Sequence, residues 1–369
     1  MSSSAAVLVL NVGSSSVKFR VLGADDDLPV LLDGRVVGIG ARPRLQLNDR
    51  PAKDLDQALD HTAAIAAVLE QVQNAARGWQ LVAAGHRIVH GGEAYQAPVV
   101  LTPEILDQLD RYTPLAPLHQ HHNLAAVRAL AEIDPDLPQI GCFDTAFHAG
   151  HDPVTHSYAL PRQLRDSGVR RYGFHGLSYE WIARVLSSDP GGMPPRVVAA
   201  HLGNGASLCA MREGQSVDTT MGMTALEGLP MGTRCGALDP GAVLYMLRSG
   251  GQSLDELERL LHEESGLKGL SEGMSDMSEL LASDAAEAEL AVSYFVLRSA
   301  QKIGEMVVTL GGLDLLVFTG GIGEHAAPVR DRIVQRLDFL PEFATRVIPA
   351  DEERMVAEHT LGLLNPDQA

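Results

Sequence analysis

One pattern occurs twice in this chain and limits the available folds more than any other feature. Val7-Leu8-Val9-Leu10-Asn11-Val12-Gly13-Ser14-Ser15-Ser16 runs apolar residues into a glycine turn with small polar side chains. Val197-Val198-Ala199-Ala200-His201-Leu202-Gly203-Asn204-Gly205-Ala206 does the same 190 positions later. A second strand-like run follows each, Val17 to Leu22 and Ser207 to Met211, so each copy reads as a β-hairpin with a compact polar tip. Glycine permits positive φ and close backbone approach, which lets such a tip aim several N–H groups and hydroxyls at an anion. Ordinary hairpin turns also use Gly-Asn and Gly-Ser. The anion-binding reading gains from the framing of the first tip by Asn11 and Lys18 and of the second by His201 and Asn204. Two such tips, one per half, suggest a phosphate chain gripped between two domains, whose closure would bring the tips together.

With 369 residues the chain is too long for one typical core and suggests two domains, or three. Hydrophobic residues make up 45% and charged residues 21%, the balance of a globular protein and not a disordered one. Forty-seven acidic against 29 basic residues give a net charge of −18, which argues against a nucleic-acid or membrane partner. An anionic ligand must therefore be held by local cations. Cys142, Cys209 and Cys235 lack CxxC spacing and read as core residues of a reducing compartment. Met1 to Ala6 lack a basic leader stretch and no apolar run approaches the roughly 18 residues of a membrane span, so a cytoplasmic setting is expected.

Along the first half, Val30 to Ile39 continues as a third strand and Gly40 to Lys53 reads as a loop. Asp54 to Arg77 is an amphipathic helix stopped by Gly78. Leu81 to Ala84 is a strand leading into Gly85-His86-Arg87-Ile88-Val89-His90-Gly91-Gly92. Helices at Pro103 to Tyr112 and about His121 to Ile133 precede the strand Gln139 to Phe143, which ends at Asp144. Such strand ends commonly carry functional groups in α/β sheets. In the second half, Arg171-Tyr172-Gly173-Phe174-His175-Gly176 opens a helix to Leu186, and the second hairpin and the loop Gly228 to Arg234 follow. Helices are expected at Gly241 to Arg248, Leu254 to Glu264 and about Glu287 to Leu310. The strand Leu313 to Thr319 then enters a glycine loop, Gly320-Gly321-Ile322-Gly323-Glu324, before a helix from Pro328 to Leu337. Strand, glycine loop and helix in that order suit nucleotide contact. Neither GxGxxG nor GxxxxGK[ST] is matched, which disfavours a Rossmann dehydrogenase and a P-loop NTPase.

Phosphoryl transfer is mostly positioning and charge neutralisation, needing phosphate-cradling loops, a metal and cations near the moving group. The hairpin tips, a carboxylate at Asp144 or near Glu352, and Arg87, His175 and Arg234 in glycine-flanked loops are candidates for these parts. Seven segments also match a known family in order: Asn11 to Lys18, Gly85 to Gly92, Ala116-Pro117-Leu118-His119, Phe143-Asp144-Thr145-Ala146-Phe147-His148, Arg171 to Gly176, His201 to Ser207, and Met231-Gly232-Thr233-Arg234. From Val7 to about Thr360 the chain resembles acetate kinases.

That resemblance implies an α/β protein of two domains with duplicated ribonuclease H-like, actin-like ATPase cores, each a mixed β-sheet flanked by helices. Residues 1–144 with about 354–369 would form an acceptor and metal-side domain, and 145–353 a nucleotide-binding domain. The implied reaction is reversible transfer of the γ-phosphoryl of Mg-ATP to acetate, giving acetyl phosphate and ADP in a homodimer. Mg²⁺ is the implied cofactor, with Mn²⁺ as an alternative ion. By resemblance, Arg87 binds the acceptor carboxylate, His175 and Arg234 stabilise the transferring phosphoryl group, and Asp144 is the catalytic carboxylate. The acyl pocket maps to Val89, Leu118, Phe174 and Ala225. Nucleotide contacts map to Lys18, to His201, Leu202, Gly203, Asn204 and Gly205, to Asp276, Met277 and Ser278, and to Gly321, Ile322, Gly323, Glu324 and His325. The metal positions are Asn11 and Glu352, with Glu353 as the alternative to the latter. Acetate is already an anion at pH 7 and needs no base, so Asp144 suits an orienting or electrostatic role.

Five departures from the family pattern stand out. Ala225 replaces a common proline, and a smaller side chain there leaves room for another methylene, so propionate is an alternative acceptor. Gln120-His121-His122-Asn123 follows His119 and reads as a polar helix start. Ser278 stands where an arginine is usual and His325 where asparagine is usual, both on the adenine side. The short segment between Gly323 and Glu352 leaves the choice between Glu352 and Glu353 open.

Overall fold

Both hairpins form, and each sits at the centre of a sheet. The computed structural model describes residues 4–13, 15–48, 50–55, 59–117 and 119–364. The chain divides into two compact units, Met1–Ala146 with Asp351–Ala369, and Phe147–Ala350.

In the first unit, β1 (Ser4–Val12) pairs antiparallel with β2 (Ser16–Gly23), which pairs antiparallel with β3 (Val30–Val37). On its other side β1 runs parallel to β6 (Trp79–Ile88), and β6 runs parallel to β8 (Gln139–Phe143). Two short antiparallel strands, β4 (Arg44–Leu47) and β5 (Lys53–Asp54), extend the edge beyond β3, and β7 (Val99–Val100) closes the edge beyond β8. In the second unit, β9 (Arg196–Leu202) and β10 (Ala206–Arg212) form the hairpin, and β11 (Gln215–Thr219) adds an antiparallel edge. β12 (Leu315–Thr319) and β13 (Ala344–Val347) extend that sheet in parallel from β9.

The two sheets repeat one order. β3-β2-β1-β6-β8 and β11-β10-β9-β12-β13 each place two antiparallel neighbours on one side of a central strand and two parallel strands on the other. Central strands in such sheets are covered on both faces and read as continuous apolar runs. Ala6 to Leu10 and Val197 to Ala200 are accordingly buried without alternation.

Helices cover the sheets. His61–Ala75 packs Ile65, Val68, Leu69 and Val72 into the core that β1, β2 and β3 share. Glu352–Leu364 lies against β6 so closely that a methyl group added to Gly85 would sit 2.4 Å from Thr360 Oγ1 and 2.6 Å from Val356 Cγ1. Ala286–Leu310, the longest helix among the described residues, carries eleven buried side chains.

Several boundaries differ from the sequence reading. Gly40 to Lys53 is not a plain loop, because Arg44–Leu47 and Lys53–Asp54 pair as edge strands. The first helix begins at His61 and not at Asp54; Asp60 caps it by accepting from the Ala63 N–H at 2.7 Å, while residues 56–58 lie outside the described residues. Gly320 to Glu324 is not a loop but most of a short helix, Gly320–His325. Gly320 has φ +77, and a methyl group there would meet the Leu202 carbonyl oxygen at 2.8 Å, so glycine lets the strand turn directly into the helix. The following helix, Ala327–Gln335, ends before Leu337.

Candidate active site

Each unit gathers its own set of polar groups at the ends of its central strands. In the first unit the organising residue is Arg87, near the end of β6. Its Nε donates to Asp144 Oδ1 at 2.9 Å and its Nη2 to Asp144 Oδ2 at 2.7 Å, a bidentate pair just beyond β8. Its Nη1 lies 3.2 Å from Glu352 Oε2 and donates to Asn11 Oδ1 at 3.4 Å. One guanidinium thus joins β1, β6, β8 and the last helix. Burial works against its charge, but Asp144 and Glu352 outweigh that and raise its pKa. Burial likewise raises Glu352 to about 7, against the pull of Arg87. The next residue, Glu353, lies with its carboxylate 4.0 Å from Arg20, and its charge also raises the pKa of Arg87 and of Glu352.

The backbone around this cluster is pinned by side chains to which the sequence reading gave no such role. Asn123 donates to the Val12 carbonyl at 2.6 Å and accepts from the Val89 N–H at 3.1 Å, tying the first tip to the residues after Arg87. Gln120 exchanges two hydrogen bonds with the His90 backbone, at 3.1 and 3.0 Å. His61 donates to the Gly13 carbonyl at 2.9 Å. The helix Gln120–Ile133, expected to begin near His121, therefore fixes strand ends through its polar first turn. Lys18 is exposed on β2 directly opposite Asn11, and Val89 is half-buried. Ser14 and Leu118 lie outside the described residues.

The second unit builds a glycine-lined cradle. His201 on β9 pairs in register with Thr319 on β12, so the strand ends at Leu202 and Gly320 are neighbours. A methyl group on Gly203 would lie 3.7 Å from the Gly321 amide nitrogen and 3.9 Å from His201 Nε2. One on Gly205 would lie 3.3 Å from His175 Nε2 and 3.8 Å from Arg234 Nη1. A ring nitrogen and a guanidinium nitrogen therefore border the same glycine surface. His175 precedes the helix Gly176–Ser188 in left-handed backbone, φ 59 and ψ 24, and its ring stacks on His201 with centroids 4.3 Å apart. The His148 imidazole donates from Nε2 to the Phe174 carbonyl at 3.0 Å, holding the residue before it.

The Met231–Arg234 turn is closed by the Met231 N–H donating to the Arg234 carbonyl at 3.1 Å, and Gly232 donates to the Asn204 carbonyl at 3.1 Å. Arg234 Nη1 donates to the Ala225 carbonyl at 3.3 Å, which places Ala225 beside the arginine; Phe174 is buried in the same unit. Asp276 caps the helix Met277–Ala282, accepting from the Ser278 N–H, and Met277 is buried. The neighbouring Ser275 carbonyl approaches Gly232. Glu324 accepts from the N–H groups of Gly320 and Ala350, both at 3.0 Å, which locks Gly321, Ile322 and Gly323 in place; Gly321 and His325 are exposed.

Sequence reasoning also passed over Ser207, Ser178 and Tyr179, which stand directly behind the two histidines. Ser207 did carry a signal, as the polar member of an otherwise apolar strand run.

Comparison with known proteins places these features in a wider set. The profile of the acetokinase family matches residues 6–358. An acetate kinase of Methylocella silvestris is 44% identical over 395 aligned positions, covering 97% of this chain and 98% of that protein. A crystal structure of Porphyromonas gingivalis acetate kinase superposes with a TM-score of 0.88 at 33% identity, covering 98% of this chain and all of that one. A propionate kinase from Francisella tularensis superposes with a TM-score of 0.90 at 32% identity, covering 96% and 98%.

Proposed function

This chain belongs to the acetokinase family, and from that premise we propose that it transfers the γ-phosphoryl group of ATP reversibly and in line to acetate, giving acetyl phosphate and ADP. The observation that carries this reading is the convergence of His175 Nε2 and Arg234 Nη1 on the glycine surface of Gly205. Donors fixed where charge develops stabilise a transferring phosphoryl group without reorganising at the moment of reaction. Gly203 to Gly205 and Gly321 to Gly323 supply backbone that approaches phosphates closely, and the Asp276 to Ser278 segment with His325 lies on the base side. Phe147–Ala350 is the nucleotide side in this reading, and the other unit is the acceptor and metal side.

Arg87 is the acceptor-binding cation. Its clamp by Asp144 supports an orienting role for that carboxylate, which uses both oxygens to hold the guanidinium and is not needed to deprotonate an acid already ionised at pH 7. Among the described residues no three His, Cys, Asp or Glu side chains converge to ligate a metal. One amide oxygen, Asn11, and one carboxylate, Glu352, are hard donors that fit Mg²⁺ or Mn²⁺, ions bound by few protein groups and several waters. Glu352 fits better than Glu353 because it faces Arg87 beside Asn11. When bound, the ion would neutralise phosphate charge.

The hydroxamate assay for acyl phosphates tests this reading: ATP-dependent acetyl hydroxamate should form from acetate and none from sugars. Sugar phosphorylation without acyl phosphate would overturn it. A second reading, a propionate kinase, is favoured by the small residue Ala225, whose carbonyl accepts from Arg234, and is decided by kcat/KM for acetate against propionate.

A homodimer is also part of the proposal. The helix Pro240–Ser249 buries none of its residues while exposing Leu244 and Tyr245, and Leu238 precedes it. Sedimentation velocity should show twice the chain mass. Cys142 and Cys209 are buried, which suits core residues in a reducing cytoplasm, and no helix among the described residues is long and apolar enough to cross a membrane.

A further inference from the structure

We propose that Ser207 and Tyr179 are positioning residues that fix His175 in the tautomer carrying its proton on Nε2. The inference rests on the reading of His175 as a donor to the transferring phosphoryl group and specifies how that donor is prepared.

His175 Nδ1 lies 2.8 Å from Ser207 Oγ, and Ser207 Oγ lies 2.5 Å from the Tyr179 hydroxyl. Ser207 and Tyr179 are both fully buried. Tyr179 stands one helical turn after His175, and Ser207 follows the second hairpin tip on β10, so helix and hairpin share this contact. Each hydroxyl has one hydrogen to give. The phenol is far more acidic than the alcohol, so the shorter bond runs from Tyr179 O–H to Ser207 Oγ. Ser207 then directs its own hydrogen to His175 Nδ1. A neutral imidazole that accepts at Nδ1 holds its proton on Nε2. Nε2 is the atom that borders Gly205, on the same surface as Arg234 Nη1.

The reversed relay would run from His175 Nδ1–H through Ser207 to the phenol oxygen. It would leave a lone pair on Nε2 facing an anionic phosphate, which is repulsive. A neutral imidazole can serve as the electrophilic donor in an enzyme when its tautomer is fixed. His201 is held in a matching way, with its Nδ1 2.8 Å from Ser178 Oγ in the first turn of the same helix, and its stack on His175 keeps both rings facing the tip.

The test uses full-length protein labelled with ¹⁵N-histidine, with the His175 resonances assigned from their absence in His175→Gln. The wild-type ring should show the Nε2–H pattern, and Ser207→Ala and Tyr179→Phe should shift it toward Nδ1–H or a mixture. In both variants kcat for acetyl phosphate formation should fall about 10- to 100-fold, the usual cost of losing an orienting partner, while KM for ATP and for acetate changes less than about twofold. Ser207→Thr, which retains the hydroxyl, should restore both readouts. Tyr179→Phe keeps the ring volume and decides the matter if Ser207→Ala folds poorly. An Nδ1–H pattern in the wild type, or an unchanged tautomer and kcat in Tyr179→Phe, overturns the proposal. If His175→Ala leaves kcat intact, the phosphoryl-facing reading of His175 fails instead, whatever tautomer the ring holds.

Discussion

Glu352→Gln should make the protein more stable at alkaline pH while removing the proposed metal ligand. The Glu352 side chain is only 13% exposed, and burial raises its pKa from 4.5 to about 7 in spite of Arg87 at 3.2 Å. Because the folded value is the higher one, the folded chain binds more protons than the unfolded chain between those two pH values. Stability contributed by this group is therefore complete below about pH 4.5 and lost as pH rises through about 7. At about 1.4 kcal/mol per unit the loss amounts to roughly 3 kcal/mol. Glutamine carries no proton to lose and leaves Arg87 paired with Asp144, so no charge is stranded. In thermal melts with chelator present, Tm of the variant minus Tm of the wild type should grow by about 5 to 10 °C between pH 5 and pH 8. Added Mg²⁺ should stabilise the wild type at pH 8 and leave the variant unmoved. A Tm difference that is flat with pH, or that shrinks toward pH 8, refutes the argument.

Arg234→Ala should lower turnover by about 10³- to 10⁵-fold while ATP affinity measured by calorimetry changes little; an unchanged turnover number removes Arg234 from the transfer step. In Gly205→Ala the new methyl would enter the space bordered by His175 and Arg234, and MgADP affinity should fall at least about tenfold with little change in Tm. The methyl added in Gly85→Ala would meet Thr360 and Val356 and push on the helix that carries Glu352. That variant should lose about 1 to 3 kcal/mol in denaturant titration, together with the stabilisation by Mg²⁺; wild-type stability would show that the packing yields.

The hairpins were legible because antiparallel neighbours joined by a tight turn write their pattern into one short stretch. Helices such as Leu254–Glu263 and Pro103–Asp110 were legible to within a turn, and in the structure Ser253 and Thr102 cap them. Parallel pairings such as β1 with β6 were not, since the partners are far apart in sequence and nothing local encodes their register. Arg44–Leu47 is too short and polar to register as a strand. Gly320 to Gly323 looked like a loop because glycine disfavours helix, yet Glu324 and the close Leu202 carbonyl impose one. The site residues came largely from family resemblance. Their supports, Asn123, Gln120, Ser207 and Tyr179, were hidden because a polar side chain shows its value only once its buried partners are known.

The most direct test of phosphoryl transfer to a carboxylate is ³¹P NMR of a reaction with ATP and acetate labelled with ¹⁸O in both oxygens. The predicted product is acetyl phosphate whose phosphorus shows the isotope shift of a bonded ¹⁸O, formed together with ADP. Unlabelled phosphorus, or AMP in place of ADP, would mean that the carboxylate oxygen does not attack the γ-phosphorus and would contradict the assignment.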